Sequence, residues 1–351
     1  MRKIYKLSDF PLANVPFREL PISGLLDALL PTELGVRLAG WMVLAGQPMD
    51  AVDVYLDGKL LFTRPMTPRP DVQKFYPWLP NGDAVGFDVE VPVGAEEVRR
   101  VDLICRQGQR RIGRMFQLVR RGVDDLPTAP IDNMYRVAHV KQAHLFKVGG
   151  LKSVGDFCEP LARHGDIGKV RRMLDWGCGC GRMSMHFLAA EDCPEYCGCD
   201  IDPDAIHWAQ THLAGGSFSV LGPMPPAPYP ADHFDLIVSF SVFTHLTRDV
   251  QHAWLAEMRR ILVPGGIFLA TVHGRMAYAY TCGNLATTFP PEGIVDSALD
   301  LTLDGIAPKG YYRGTFQSRD YTQREFGKHF KVLEYIEQGA GMQDLVVLQK
   351  P

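Results

Sequence analysis

A glycine-rich turn within residues 173–182 carries residue types suited to holding a charged small molecule. A short apolar run ends in Asp175, and Gly177, Gly179 and Gly181 follow at two-residue spacing. This pattern is typical of a buried parallel strand that turns sharply into a helix and lets a ligand touch the backbone. Taken alone, it predicts a nucleotide or cofactor site.

A second acidic residue, Asp200, ends the next apolar run. A carboxylate there can accept two hydrogen bonds from a ribose diol, as in dinucleotide-binding folds. The dehydrogenase fingerprint, however, is Gly-x-Gly-x-x-Gly, whereas the three glycines here alternate with single residues. Asp175, directly ahead of them, would also lie unfavourably close to a pyrophosphate. The pattern therefore disfavours a nicotinamide dinucleotide.

From residue 170 onward, apolar runs alternate with helical patterns, which predicts a parallel sheet with right-handed crossovers. The predicted strands are 170–174, 196–199, 218–221, 234–240 and 267–272, with helices at 182–190, 204–213 and 250–262. The segments 330–335 and 345–348 are expected to pair as a closing antiparallel hairpin.

The first third of the chain has a different pattern. Residues 1–35 are expected to form an arm, and short strands with turns between them at 36–120 predict an antiparallel β-sandwich. One predicted hairpin turns at Asp57-Gly58. Residues 122–169 are expected to join the halves as a linker and helical cap, with helices at 135–146 and 154–164 interrupted by Gly149-Gly150.

The run Leu174 to Arg182 resembles the first motif of class I S-adenosylmethionine-dependent methyltransferases, in the version found in bacterial glycan and secondary-metabolite clusters. Segments at 234–246, 254–266 and 271–274 continue that resemblance in order. The N-terminal segment, through Gly40-Trp41 and Gly86-Phe87, is similar to β-sandwich modules fused to bacterial glycosyltransferases. The implied fold is a Rossmann-like α/β sheet, mostly parallel, preceded by a small all-β domain.

The domain limits expected from this resemblance are 1–121 for the arm and β-sandwich, 122–169 for the linker and cap, and 170–351 for the methyltransferase domain. The implied cofactor is S-adenosylmethionine. The residues expected to bind it are Asp175, Gly177, Cys178, Gly179, Asp200, Ile201 and Ser239. Asp175 would hold the cationic amino-acid end directly or through water, and backbone amides of the turn would hold the carboxylate or its bound water. Asp200 would bind the ribose, and Ile201 would pack on the adenine face. Many relatives place an acidic residue after the third strand, where this chain has Gly222-Pro223-Met224 instead.

Two histidines are candidates for the base that a hydroxyl acceptor requires, because imidazole titrates in the useful range. His245 follows the fourth strand and His273 ends the fifth. A long insert, 274–318, contains several tyrosines and is expected to form a lid over the acceptor. The first hypothesis is O-methylation of a sugar or glycan hydroxyl. O- or N-methylation of a non-sugar metabolite, and a non-catalytic cofactor-binding protein with a recruitment module, stay open.

The amino-acid composition excludes few functional classes of protein. The net charge is −3 over 351 residues, which gives no overall attraction to nucleic acid. No apolar run reaches the roughly 20 residues of a membrane span, and no signal peptide follows the N-terminus, so a cytoplasmic location is expected. The cysteines crowd the glycine turn without structural zinc spacing, and no metal is expected. The oligomeric state is not predicted.

Overall fold

A computed structural model describes residues 5–9, 23–43, 49–78, 84–94, 97–303 and 305–351. Residues 1–4 and 10–22 of the predicted arm, 1–35, lie outside these residues. In the described part, an all-β region precedes an α/β region.

The all-β region consists of two four-stranded sheets in which every neighbouring pair of strands is antiparallel. The strands are β1 (Ser23–Pro31), β2 (Gly35–Val43), β3 (Ala51–Leu56), β4 (Lys59–Pro65), β5 (Thr67–Pro68), β6 (Ala84–Pro92), β7 (Arg99–Gln107) and β8 (Arg110–Val119). One sheet has the order β1-β2-β6-β5 and the other β4-β3-β7-β8.

The predicted hairpin at Asp57-Gly58 joins β3 to β4. Both residues have positive φ, 46° and 79°, as a tight two-residue hairpin turn requires. Buried side chains of the two sheets belong to one apolar core, in which the sulfur atoms of Met42 and Cys105 lie 3.0 Å apart.

Residues 23–31 form strand β1, although the sequence pattern assigned them to an arm. β1 pairs with β2, and the pairing shifts register between Leu26 and Ala28. A shift of this kind breaks the alternation of side chains that marks a strand in a sequence, so the pattern hid it.

The α/β region contains nine further strands. They are β9 (Arg172–Trp176), β10 (Glu195–Asp200), β11 (Gly216–Val220), β12 (Phe234–Ser239), β13 (Leu262–Val272), β14 (Ile294–Leu299), β15 (Arg313–Gln317), β16 (Lys331–Ala340) and β17 (Gln343–Gln349). Seven of these strands form one sheet of order β11-β10-β9-β12-β13-β17-β16, and β14 pairs with β15 alone.

The seven-stranded sheet confirms the predicted fold class. Strands β9 to β13 pair in parallel, whereas β17 runs antiparallel to both of its neighbours. Parallel strands end at one edge of a sheet, and ligands of open α/β sheets bind there. That edge carries the turn after β9, Asp200 at the end of β10, and the segment after β12.

Eight α-helices lie within the described residues. They are α1 (Pro70–Phe75), α2 (Ile131–Ala138), α3 (Ala143–His164), α4 (Ser184–Ala189), α5 (Pro203–His212), α6 (Arg248–Ile261), α7 (Arg275–Cys282) and α8 (Arg319–Phe326). Among them, none combines the length and the apolar character needed to cross a lipid bilayer.

The predicted break at Gly149-Gly150 is wrong, because α3 continues through both glycines. The break lies instead at 139–142, where His139 takes a left-handed φ of 53°. Gly150 has a packing role, since a Cβ there would come well within 3.0 Å of the Arg182 carbonyl oxygen. A Cβ on Gly149 would meet nothing within 4 Å.

The insert 274–318 is partly regular structure. It contains α7 and the β14–β15 pair, and its last strand returns to the sheet, where the Gln317 amide donates to the His273 carbonyl over 2.8 Å. This insert is therefore anchored at both ends against the main sheet.

A buried ionic cluster joins the β7–β8 hairpin to α3. Glu159 on α3 accepts from Arg100 at 2.7 Å and from Arg114 at 3.2 Å, and Arg100 also bonds Asp102. The ring of Phe116 lies under the Arg100 guanidinium, at 3.8 Å. Charges paired in this way are tolerated in a protein interior, and removal of one partner is strongly destabilising.

The glycine pair of α3 offers a matched test of the packing. Gly149→Ala should stabilise the fold by about 0.5–1 kcal/mol, because alanine loses less backbone entropy in a helix and meets no neighbour. Gly150→Ala should destabilise it, since its Cβ meets the backbone of the glycine turn. Thermal unfolding of both variants measures the difference. Equal melting temperatures would contradict the close contact of α3 with residue 182.

Candidate active site

The glycine turn after β9 depends on residues that lack a Cβ. Gly177 and Gly179 have φ values of +81° and +53°, which glycine adopts without strain. A Cβ at Gly177 would also clash with the side chain of Val242, and one at Gly179 with Val137. The glycines therefore let the segment after β12 and helix α2 close against the turn.

Four backbone amides of this turn already have partners within the protein. The amides of Gly177 and Cys178 donate to the Cys199 carbonyl at 2.8 and 3.1 Å, and that of Gly181 donates to Cys178 at 2.9 Å. The amide of Gly179 donates to the Asp200 carboxylate at 2.8 Å. Moreover, the helix predicted from residue 182 begins only at Ser184. The expectation that the turn's amides hold a ligand carboxylate does not fit these four groups.

Asp200 is fixed by two backbone amides, one on each carboxylate oxygen. Its Oδ2 accepts from Gly179, and its Oδ1 accepts from Asp202 at 2.9 Å. A carboxylate oxygen accepts more than one hydrogen bond, so acceptor capacity remains on both atoms. Burial raises the pKa of Asp200. The residue lines a cavity at the carboxyl edge of the sheet.

Asp175 is only 1% exposed and lines the same cavity. Its Oδ2 accepts from the hydroxyls of Tyr196 at 2.7 Å and Ser184 at 3.3 Å. Its Oδ1 is buried and has no partner among the described residues. Burial raises the pKa of Asp175 to about 6. An unpaired buried oxygen is costly unless a ligand binds it, so Asp175 is poised to accept from a donor in the cavity.

The other predicted binding residues divide into two groups. Ile201 and Cys178 line the cavity, and burial raises the pKa of the Cys178 thiol, which therefore stays neutral. Ser239 is buried but does not belong to the cavity lining, where the next residues, Phe240 and Ser241, take part instead. The hydroxyl of Ser239 has no partner among the described residues.

His245 lines the cavity from the side of the insert. Its Nδ1 lies 3.1 Å from the Arg313 carbonyl oxygen and 3.5 Å from Asp300 Oδ2. A carbonyl oxygen only accepts, so Nδ1 carries the hydrogen and Nε2 has the lone pair. Its ring stacks on Tyr312 with centroids 4.0 Å apart. Burial, with His273 nearby, lowers the pKa of His245 to about 3, so the imidazole stays neutral and titrates below the range expected from the sequence.

His273 lies behind His245, with ring centroids 6.1 Å apart, and is not part of the cavity lining. Its ring stacks on Phe316 at 5.1 Å. Burial lowers the pKa of His273 to about 4. The structure thus brings the two candidate histidines together but presents only His245 to the cavity.

Sequence reasoning missed several residues of the cavity. Arg182 follows the third glycine directly, and Arg136 lies on the predicted cap; both line the cavity. The sequence around each arginine predicted only that it lies in a helix, and gave no indication of contact with a ligand. Arg136 pairs with Asp202 at 2.8 Å.

The loop that lacks an acidic residue is held by its backbone. Both the Trp254 indole, at 3.1 Å, and the Tyr311 hydroxyl donate to the Pro223 carbonyl. Leu221, Trp254 and Tyr311 line the cavity next to this loop. The wall there is largely apolar and aromatic.

A family model described as a methyltransferase domain matches residues 174–268. Among solved structures, an S-adenosylmethionine-dependent methyltransferase from Mesorhizobium loti is 17% identical, with 55% of this chain and 97% of that chain covered and a TM-score of 0.39. N-methyltransferase NodS from Bradyrhizobium japonicum, in complex with S-adenosyl-L-homocysteine, is 17% identical over 62% of this chain and 99% of its own, with a TM-score of 0.40. A TehB-like methyltransferase from Corynebacterium glutamicum is 19% identical, with 52% of this chain and 80% of that chain covered and a TM-score of 0.34.

The family match runs from β9 to β13, and so contains the glycine turn, Asp175, Asp200 and His245. The sheet order, the antiparallel β17 and the cavity at the carboxyl edge agree with that domain. Residues 174–268 of this chain therefore match a methyltransferase domain.

Proposed function

We propose that the enzyme transfers a methyl group from S-adenosylmethionine to a hydroxyl group of a small polar acceptor, and that this acceptor is a sugar or glycan unit. The observation that carries the proposal is the contact of His245 Nδ1 with the Arg313 carbonyl oxygen, which leaves the Nε2 lone pair of this cavity-lining residue to accept a proton. A hydroxyl needs a base of this kind to become a nucleophile. The sugar class is supported by the resemblance of both halves of the sequence to glycan-modifying proteins.

Each chemical group of the donor has a suitable partner among the residues of the cavity. The unpaired Oδ1 of Asp175 suits the ammonium group. Asp200, held rigid by two amides, retains acceptor capacity for the ribose hydroxyls, and Ile201 offers an apolar face to the adenine. The cavity lining next to Asp175 also includes Gly177, Cys178 and Gly179. We assign Ser239 only an indirect role, because it lies behind the lining.

When bound, the donor supplies an activated methyl group and a neutral leaving group, so the protein mainly has to position and deprotonate the acceptor. The bound donor would supply the methyl group to the acceptor oxygen, and its sulfur would leave as a neutral thioether. His245 Nε2 takes the hydroxyl proton. Asp300, 3.5 Å from Nδ1, stabilises the imidazolium that results. His273 would act only by positioning His245.

The insert 274–318 contributes the groups that surround this base. Asp300, Tyr311, Tyr312 and the Arg313 carbonyl all come from it, and Tyr312 covers the His245 ring. This supports its role as the acceptor side of the site. It also supports the proposed division at 170–351, since the insert belongs to the α/β region.

Asp200→Ala should lower the affinity for S-adenosylhomocysteine by about 100-fold, because two hydrogen bonds to a charged group are lost. Titration calorimetry measures the change. Asp204→Ala is the matched control, because Asp204 is an exposed carboxylate close by on α5, and it should leave affinity unchanged. Melting temperatures of both variants separate lost binding from lost folding. Full affinity in a folded Asp200→Ala protein would contradict the ribose assignment.

Donor affinity should follow the titration of Asp175. Its raised pKa of about 6 means that the carboxylate is ionised above that pH and neutral below it. An ammonium ligand requires the ionised form, so affinity should fall up to about tenfold per pH unit below pH 6. Above about pH 8 the ligand's own amino group loses its proton. Calorimetry from pH 5 to 9 should give a maximum between these limits. The Asp175→Asn variant should bind the donor weakly, and its affinity should no longer fall below pH 6. A pH profile of donor affinity that is the same in this variant would refute the contact between Asp175 and the ammonium group.

His245→Ala should lower kcat by about 10²–10⁴-fold while donor affinity stays within about twofold, because the base acts only in the chemical step. Release of S-adenosylhomocysteine is followed with a panel of monosaccharides, nucleotide sugars and oligosaccharides. The control is His207→Ala, which alters an exposed histidine of α5. Unimpaired turnover in His245→Ala would exclude this base, and turnover only on non-sugar acceptors would exclude the sugar.

A further inference from the structure

Arg182 is a cation without an anionic partner in the donor cavity. Its guanidinium group stacks on the Phe240 ring at 4.4 Å, and both residues line the donor cavity beside the glycine turn as well as a second cavity that contains Asp156. Among the described residues, no carboxylate lies within 4.0 Å of it. Asp175 and Asp156 act on it only through space, and desolvation lowers the pKa of Arg182 to about 10.

The cavity thus holds two charged groups of opposite sign that are not paired with each other. Asp175 has a buried oxygen without a partner, and Arg182 has no carboxylate partner. Groups free to approach would form a salt bridge, which offsets the cost of burial. A gap between an unpaired anion and an unpaired cation is complementary to a zwitterion. The α-amino acid end of the methyl donor is such a group.

Several other groups that could bind the donor's carboxylate already have partners within the protein. Four amides of the glycine turn bond Cys199, Asp200 and Cys178. Arg136, the other arginine of the cavity, bonds Asp202 at 2.8 Å and Asn133 at 3.1 Å. Arg182 is the cavity cation left over, and it lies on the same turn as Asp175.

We propose that the Arg182 guanidinium binds the carboxylate of S-adenosylmethionine, and that Arg182 and Asp175 together select donors with an intact α-amino acid end. Arginine suits this task because its planar group donates two parallel hydrogen bonds to a carboxylate. The proposal rests on the assigned donor and on the ammonium contact proposed for Asp175. It is independent of the acceptor and of His245.

Decarboxylated S-adenosylmethionine is the discriminating probe, because it keeps the ammonium, sulfonium and adenosine groups and lacks only the carboxylate. Arg182→Met should lower the affinity for S-adenosylmethionine about 10- to 100-fold, the range for a hydrogen-bonded charged group. The same variant should bind the decarboxylated probe within about twofold of the unmodified protein. Arg182→Lys should retain part of the affinity for the intact donor. Arg259→Met, at an exposed position of α6, is the control and should change neither affinity.

Titration calorimetry on the full chain decides between the outcomes. An equal loss for both ligands in Arg182→Met would mean that the residue only shapes the turn, and would overturn the proposal. Unchanged binding of the intact donor would overturn it as well. If the unmodified protein bound neither ligand, the donor assignment itself would fail, which is a different result from either of these.

Discussion

The hydrogen bond from the Gly179 amide to the Asp200 carboxylate is the constraint on which the donor site depends. It ties the glycine turn after β9 to the end of β10, and the second oxygen of Asp200 fixes the start of the next loop through Asp202. Two adjacent parallel strands are thereby locked at their carboxyl ends. The carboxylate that we propose as the ribose ligand also sets the geometry of the turn, so the proposed recognition depends on the same side chain as the shape of the site.

Elements with a strong local pattern could be predicted from the sequence. The strands of the parallel sheet, the Asp57-Gly58 hairpin and the antiparallel closing strand follow from periodicity and turn chemistry. The glycine pair of α3 was wrongly predicted to break the helix. Gly150 is required by tertiary packing, because it lets residue 182 approach α3, and no local sequence pattern reveals that contact. Strand β1 was missed because a register shift removes its alternation.

The candidate site was predictable where one residue type implies one chemistry. Asp175 and Asp200 could be named from their places at strand ends, and both line the cavity. His245 and His273 were equivalent in sequence, and only packing separates them, since the His245 tautomer depends on a backbone carbonyl 68 residues away. Arg182 was missed for a similar reason. An arginine in a helical segment is usually solvated, and its lack of a partner is visible only in three dimensions.

Unpaired charges at Asp175 and Arg182 have a thermodynamic consequence for the whole domain. Each raises the free energy of the ligand-free fold, because burial disfavours a charge that has no salt-bridge partner. A ligand that supplies both partners restores that free energy, and the stabilisation grows with ligand concentration above Kd. A salt bridge between Asp175 and Arg182 would stabilise the ligand-free domain, but it would remove the complementarity of the cavity to a zwitterion. The destabilisation of the empty cavity and the selectivity proposed for an amino-acid end thus have one physical origin.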